Sequence, residues 1–402
     1  MMDVVVRRLL VLVMVCIAFA ACSGGGGGSP APAAPAAPGA GGATPTPTPS
    51  GGATPTPTPR PSTSPTATPT ASPTATASPS PNPSAAIAAA CLQSQAASAS
   101  GISPTTTTAF LNTVVATGRK ICMSAYVFTN VAYAALDAAA KNHATVVVVF
   151  PAEEQSYYQS DLNQLQADGA TIVIDPGASG SPAVNPIHAK LAIVDGNAYL
   201  DGHNWVEAGG SEPVDDVIIE DTIPNDFTAI ETALTSFNNP PSSASGTLDL
   251  VKANSLAMEA TFLDSHLPGA GVTVSYMTES FSSGAANVVS ALEAARANGA
   301  TVNVILVGSD ETGSSDESLI DTMQADGITF YSNATTGSEK LLMISSLPGE
   351  LWYGSSNSTS TSSLSSDYID WGMLISDPTT ISAISAYYQA QLSHATPLAN
   401  PF

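Results

Sequence analysis

The sequence predicts an α/β protein that contains two copies of one unit, chiefly because the chain carries an internal duplication. Residues 136–146 align with residues 292–302 at an offset of 156 residues, and residues 166–169 align with residues 324–327. The same residue types recur at the same spacing in both places, which indicates a duplicated structural unit. The chain is long enough for two such units to bury a core each.

Each copy also alternates helices with buried strands. Apolar runs at 146–150 and 302–307 predict buried strands, and each run follows a helix and precedes a second helix and strand. This alternation indicates an α/β sandwich. Residues 238–248 contain a proline pair among small residues, which is typical of a linker. We therefore expect the two halves to span 85–237 and 249–402.

The first 22 residues predict export from the cytoplasm. Arg7 and Arg8 precede an apolar run at 9–19, and two alanines then lead to Cys22. This pattern is typical of a signal peptide. Its end resembles the lipobox of bacterial lipoproteins, which implies that Cys22 is acylated and anchors the protein to the cell membrane, at its extracytoplasmic face or at the cell surface. The alternative is ordinary cleavage nearby, with no lipid on Cys22.

Residues 23–84 consist almost wholly of Gly, Pro, Thr, Ser and Ala, which predicts an extended, disordered tether. The chain carries a formal net charge of −23. Affinity for nucleic acid depends on many Lys and Arg contacts with phosphates, so this charge argues against a nucleic-acid partner. Beyond the tether the basic residues are few: Arg119, Lys120, Lys141, Lys190, Lys252, Arg296 and Lys340.

Two cysteines remain outside the leader, Cys91 and Cys122. In an oxidising compartment such a pair predicts a disulfide. Two buried free thiols are the alternative.

The residues that indicate chemistry lie in one short run. His188, Lys190 and Asp195 have the spacing His-x-Lys-x(4)-Asp, and strand alternation points His188 and Lys190 to one face. The complete spacing resembles the motif of the phospholipase D superfamily. The resemblance implies two α-β-α sandwich halves packed on a shared cleft, to which each half contributes one motif.

The resemblance also implies roles for individual residues. His188 attacks phosphorus and forms a phosphohistidine, while Lys190 and Asn204 stabilise charge on the phosphate oxygens. Asp195 is mainly structural and orients the motif. Asp216 lies where the family has an acidic residue on the next strand, and we expect it to hold His188 in one tautomer. The resemblance implies no metal and no cofactor.

The second copy departs from this pattern. It keeps Lys340 and Asn357, but Ser338 stands at the histidine position and Ser345 at the aspartate position. We expect Lys340, Asn357 and Ser338 to bind the substrate phosphate. Serine cannot replace an imidazolium, so the proton for the leaving group would come from Glu339 or water, or the leaving group would need little protonation. Two chains that join their intact halves are a further alternative.

These observations lead to two hypotheses of function. The first is a monomeric phospholipase D-like phosphodiesterase that works outside the cytoplasm, with a membrane phospholipid as its substrate. The second is a non-catalytic surface lipoprotein that keeps the fold and binds ligands that contain phosphate. The intact motif at His188 favours the enzyme, and the missing second histidine favours the binding protein.

Overall fold

The structure is a computed structural model that describes residues 87, 90–96, 101–116, 118–177, 180, 185–206, 214–236, 247–307, 316–333, 339–359 and 368–399. The predicted signal peptide, the tether and Cys22 lie outside the described residues, and so do Ser338 and most of the predicted linker. The described residues belong to one compact unit. Within them, no helix has both the length and the apolar character that a membrane crossing requires.

The first sheet has seven strands in the order β1-β7-β6-β5-β2-β3-β4. Strands β2, β3 and β4 pair in parallel, and the other pairs are antiparallel. The bounds of the strands are β1 Ile102–Thr106, β2 Lys120–Ser124, β3 Thr145–Pro151, β4 Thr171–Asp175, β5 Lys190–Val194, β6 Asn197–Asp201 and β7 Val217–Asp221.

The second sheet has eight strands in the order β15-β11-β10-β9-β12-β13-β14-β8. Strand β8 begins at Leu248, the last residue of the predicted linker. The bounds of the strands are β8 Leu248–Val251, β9 Thr273–Thr278, β10 Thr301–Val307, β11 Thr329–Asn333, β12 Lys340–Ile344, β13 Leu351–Gly354, β14 Ile369–Ile375 and β15 Thr396–Pro397.

The two sheets repeat one topology. The order β4-β3-β2-β5-β6-β7 in the first sheet matches β11-β10-β9-β12-β13-β14 in the second, with the same parallel and antiparallel pairs. An antiparallel edge strand, β1 or β8, follows in each sheet. The predicted α/β fold with two related halves is therefore confirmed.

Eight α-helices connect these strands within the described residues. Parallel neighbours such as β2 and β3 need a crossover connection, which a helix supplies in both halves. Capping residues define several helix starts, for example Thr129 and Asp377, whose side chains accept hydrogen bonds from the first turn. The bounds of the helices are α1 Thr107–Val114, α2 Asn130–Lys141, α3 Gln155–Ala167, α4 Pro224–Thr235, α5 Lys252–His266, α6 Ala286–Ala297, α7 Glu317–Ala325 and α8 Pro378–His394.

Each sheet buries both of its faces, which explains the continuous apolar runs of β3 and β10. Val147 of β3 and Ile305 of β10 belong to a central hydrophobic cluster that receives side chains from both sheets. The alternate residues Val148 and Val304 pack in two outer clusters, one for each half. The central cluster therefore holds the two halves against each other.

A disulfide joins Cys91 and Cys122, whose Cα atoms are 4.9 Å apart. It attaches the segment that precedes β1 to the middle of β2. Both cysteines are fully buried in the central cluster.

Candidate active site

Backbone hydrogen bonds bring the motif of the first half to the second sheet. The amide nitrogens of His188 and Ala189 both donate to the carbonyl oxygen of Ile369 in β14, at 2.9 and 2.7 Å. Strand β5 begins only at Lys190, so His188 stands just before the strand. This arrangement places the His188 ring beside Asp370, the residue that follows Ile369.

The ring of His188 lies between a carboxylate and an amine. Its Nδ1 is 2.7 Å from Oδ1 of Asp370, and its Nε2 is 3.2 Å from Nζ of Lys190. The Asp370 carboxylate can only accept, so the ring proton lies on Nδ1 and is donated to Asp370, and Nε2 accepts from Lys190. Ser355 also donates its hydroxyl to Asp370 Oδ1, at 2.7 Å. Asp370 thus fixes the tautomer in which Nε2 carries the lone pair.

Burial sets the protonation of these groups. It lowers the pKa of His188 to about 4, although the nearby Asp370 carboxylate opposes the shift. Burial and the positive charge of Lys340 lower the pKa of Lys190 to about 7. Burial alone would raise the pKa of Asp370, but His188 and the adjacent lysines outweigh it and hold that pKa well below its usual range. At neutral pH the imidazole is therefore neutral beside an ionised carboxylate.

In the second half, two side chains that were predicted to bind phosphate donate hydrogen bonds to a carboxylate instead. Glu279 Oε2 accepts from Nζ of Lys340 at 3.3 Å and from Nδ2 of Asn357 at 3.2 Å. Burial alone would raise the pKa of Glu279, but Lys340 and the other positive groups lower it to about 2. The Glu279 carboxylate is thus ionised and stands where the resemblance implies a phosphate group.

A tight turn after β6 presents Asn204 to the cleft. The carboxylate of Asp201 accepts from the backbone amides of His203 and Trp205, at 2.9 and 2.8 Å. The Trp205 ring is fully buried and donates its Nε1 proton to the carbonyl of Ser124 at 3.0 Å. These contacts fix the backbone on both sides of Asn204, whose side chain lines the cavity.

The cleft is a cavity of about 560 Å³ that both halves line. Two tyrosines flank the histidine: the ring centroid of Tyr126 is 4.6 Å from that of His188, and the centroid of Tyr368 is 5.3 Å away. The first half supplies Tyr126, His188 and Asn204 to the lining, and the second half supplies Glu279, Asn357 and Asp370.

The prediction that Asp216 holds His188 is wrong. Asp216 Oδ2 is 3.0 Å from Nδ1 of His203, and Asp370 is the partner of His188. Asp216 and Asp370 are 154 residues apart, close to the offset between the copies, and each lies at the start of the corresponding strand. An acid of the second copy therefore holds the histidine of the first.

Behind His203 lies a buried carboxyl cluster, which consists of Asp201, Asp216 and Glu339. Their oxygens are within 4.8 Å of one another, a spacing that would also suit a metal ion. Burial and the charge of Asp216 raise the pKa of Asp201 to about 7, and burial and both aspartates raise that of Glu339 well above its usual value. Glu339 is thus protonated at neutral pH, while Asp216 pairs with His203.

Asp195 is a structural residue at the turn between β5 and β6. Its carboxylate accepts from the guanidinium of Arg119 and from the backbone amide of Lys120, both at 2.7 Å. It lies at the opposite end of β5 from Lys190, roughly 16 Å along the strand. Asp195 therefore anchors this turn, in agreement with the mainly structural role expected from the sequence.

Charged residues of the cleft that were not predicted from the sequence include Asp370, Lys252 and Glu279. Asp370 could have been found from Asp216 through the repeat offset. Lys252 was noted only as one of few cations; its Nζ donates to Oγ1 of Thr359 at 2.8 Å and lies 5.6 Å from the Tyr368 ring. Glu279 follows β9 with no motif around it, so no sequence signal identifies it.

No protein family and no curated protein matches the chain. Among solved structures, the chain is similar to phosphatidylserine synthase from Haemophilus influenzae, with a TM-score of 0.48 and 11% identity over 75% of this chain and 88% of that one. It is also similar to polyphosphate kinase from Porphyromonas gingivalis, with a TM-score of 0.46 and 15% identity over 73% of this chain and 50% of that one.

A third similar structure is the phospholipase D family member Nuc from Salmonella typhimurium, with a TM-score of 0.28 and 18% identity over 34% of this chain and 89% of that one. The chain spans half the length of the polyphosphate kinase. At identities this low the similarity concerns the fold alone.

Proposed function

We propose that the protein is a phospholipase D-type phosphodiesterase whose nucleophile is His188. The observation that carries this proposal is the pairing of His188 with Asp370 inside a cleft that also contains Lys190. A neutral imidazole whose Nδ1 proton is held by a carboxylate keeps its Nε2 lone pair available for attack on phosphorus.

The reaction has two steps. In the first, Nε2 of His188 attacks the phosphorus, an N–P bond forms, and the ester oxygen of the leaving group departs with its bonding electrons and takes up a proton. The ring then carries a positive charge, which the Asp370 carboxylate balances. In the second step a water molecule attacks the phosphorus and loses a proton, the N–P bond breaks, and His188 returns to its neutral form.

Lys190 changes its partner when the substrate binds. Its Nζ donates to Nε2 of His188 at 3.2 Å in the free protein, and a bound phosphate offers it oxygen acceptors instead. The histidine lone pair is then released. Lys340 and Asn357 supply donors from the other half once the phosphate displaces the Glu279 carboxylate. Donors from both halves thus stabilise the charge that develops on the phosphate oxygens.

We propose a phospholipid with a zwitterionic head group as the substrate. The predicted leader and the predicted lipid on Cys22 support a membrane substrate, because they would hold the protein at a lipid surface. The net charge of −23 disfavours polyanions and anionic membranes. Hydrolysis by the exported protein would release the head group outside the cytoplasm.

Hydrolysis by the mature chain tests the proposal. We expect turnover of a nitrophenyl phosphodiester and of phosphatidylcholine vesicles, and a loss of about 1,000-fold or more in kcat for His188→Ala, because the nucleophile is removed. A phosphoryl label on the wild-type protein that resists alkali and is lost in acid would identify the phosphohistidine.

His394→Ala is the matched control, since His394 is exposed at the end of α8. It should keep the wild-type rate. Absence of turnover in the wild-type chain, or equal rates for His188→Ala and wild type, would exclude the enzyme. Binding of phosphate-containing ligands without turnover would support the non-catalytic alternative.

A further inference from the structure

The second half lacks its motif histidine, yet a second imidazole lies beside the cleft. His203 belongs to the turn after β6, in the first half. It is buried, with a side chain that is 6% exposed, compared with 12% for His188. We propose that His203 is the general acid that protonates the leaving group in the reaction proposed above. This inference depends on that proposed function.

The repeat itself relates His203 to His188. Asp216 and Asp370 are equivalent residues of the two copies, and each accepts a hydrogen bond from Nδ1 of a histidine, at 3.0 and 2.7 Å. His203 therefore has the acid partner that, by symmetry, the absent second histidine would have had. Such a partner fixes the ring and stabilises its protonated form.

The strand registers show how His203 reaches this position. Lys190 of β5 pairs with Asp201 of β6, and Lys340 of β12 pairs with Gly354 of β13. The three residues after Asp201 thus correspond to the three after Gly354. The middle residue is His203 in the first half and a serine in the second, and the third is the cleft asparagine in both.

His203 is also close to the charged groups of the cleft. The carbonyl of Gly202, the residue before it, accepts a hydrogen bond from Nζ of Lys340 at 3.4 Å. Asn204, the residue after it, lines the cavity together with His188. Both His188 and His203 are close enough to Glu279 to influence its pKa. The two imidazoles therefore lie near the same carboxylate.

Other proton donors around the cleft are less suitable. The lowered pKa of Glu279 keeps it ionised, so it has no proton to give. Tyr126 donates its hydroxyl to Glu153 at 2.9 Å. Glu339, which the sequence offered as a substitute, is fully buried within the carboxyl cluster. His203 is the group that combines an acid partner with a position next to the cleft.

In each turnover His203 gives up one proton and then regains one. As the N–P bond to His188 forms and the P–O bond to the leaving group breaks, Nε2 of protonated His203 gives its proton to the departing oxygen. Neutral His203 then takes a proton from the attacking water as the N–P bond breaks. Both histidines return to their starting forms, and one water is consumed for each diester.

The dependence of rate on the leaving group tests this role. Nitrophenolate leaves without much protonation, whereas an alkoxide requires an acid. His203→Asn keeps an amide that can donate to Asp216 but has no second nitrogen. We expect it to lower kcat/KM by about 100-fold or more on phosphatidylcholine and by less than about tenfold on a nitrophenyl diester.

The ratio of the two rates is measured on one preparation, so a partly unfolded variant does not distort it. Asp216→Asn should shift the ratio in the same direction, whereas Asp370→Asn should lower both rates equally. Equal losses on both substrates for His203→Asn would overturn the role of His203. A wild-type chain that hydrolyses the nitrophenyl diester but not phosphatidylcholine would overturn it too. The proposed function fails separately, if His188→Ala retains activity on the nitrophenyl diester.

Discussion

The two residues in contact in the cleft, His188 and Lys190, have to be in opposite protonation states for the reaction. His188 must be neutral, and its pKa of about 4 makes it so above pH 4. Lys190 must be charged, and its pKa of about 7 means that it loses its proton as the pH rises through 7. We therefore expect kcat/KM for a nitrophenyl diester to be highest between about pH 4 and 7 and to fall on either side.

The variant Lys190→Arg distinguishes the acidic decline of kcat/KM from the alkaline decline. Arginine stays charged at every accessible pH, so the variant should lose the decline above pH 7, although its absolute rate is lower because the guanidinium has another shape. The decline below pH 4 should remain, since His188 is unchanged. An alkaline decline that is the same in the variant and the wild type would assign it to another group.

Single residues were predicted well where a local motif defines them and badly where a partner comes from the other half. The spacing of His188 and Lys190 identified the nucleophile and its neighbouring amine. The partner of His188 was misassigned to Asp216, because sequence comparison relates each acid to its own copy. Asp370 reaches His188 only through the packing of β14 against the segment before β5. The sequence of either copy, taken by itself, does not indicate this packing.

At the scale of the elements, α5 carries a buried acid. Glu259 is fully buried, and the Tyr276 hydroxyl is a hydrogen-bonding group beside its carboxyl. Burial raises its pKa to about 8. In the unfolded chain a glutamate titrates near pH 4.3, so folding becomes less favourable as the pH rises from there to about 8.

Glu259→Gln should remove this pH dependence. The amide has a similar shape and no charge, so the variant should gain a few kcal/mol in free energy of unfolding over wild type at pH 8, and little at pH 4. Urea denaturation at both pH values measures the difference. Asp264→Asn, on the exposed side of the same helix, is the matched control. Equal gains at both pH values would show that the effect does not come from ionisation.

The elements of the sheet centres were predictable, and the edge strands were not. The valine run of β3 is buried on both faces, so the run is continuously apolar and easily recognised in the sequence. Strand β1 has only five residues, includes a proline, and forms its pairs with β7 more than 100 residues later. Its stability comes from that distant pairing, which local propensity does not encode.

For the molecule as a whole, duplication explains both the shared cleft and its asymmetry. Both sheets contribute to one central cluster, and the cleft takes its nucleophile from one half and the acid that orients it from the other. Change in one half can then be compensated by the other. In the first half, His203 pairs with Asp216, which is the residue equivalent to Asp370. The second half keeps Lys340 and Asn357, which we propose bind the phosphate.

The charge of the whole molecule should decide which diesters reach the cleft fastest. A net charge of −23 repels an anionic substrate, and salt screens that repulsion, since the Debye length falls from about 30 Å at 0.01 M to about 10 Å at 0.1 M. Raising the salt over this range should increase kcat/KM several-fold for bis(nitrophenyl) phosphate, which is anionic. It should change the value by less than about twofold for nitrophenyl phosphocholine, which is zwitterionic. A decrease with salt for the anionic diester would instead indicate that the lysines of the cleft dominate the field along the approach.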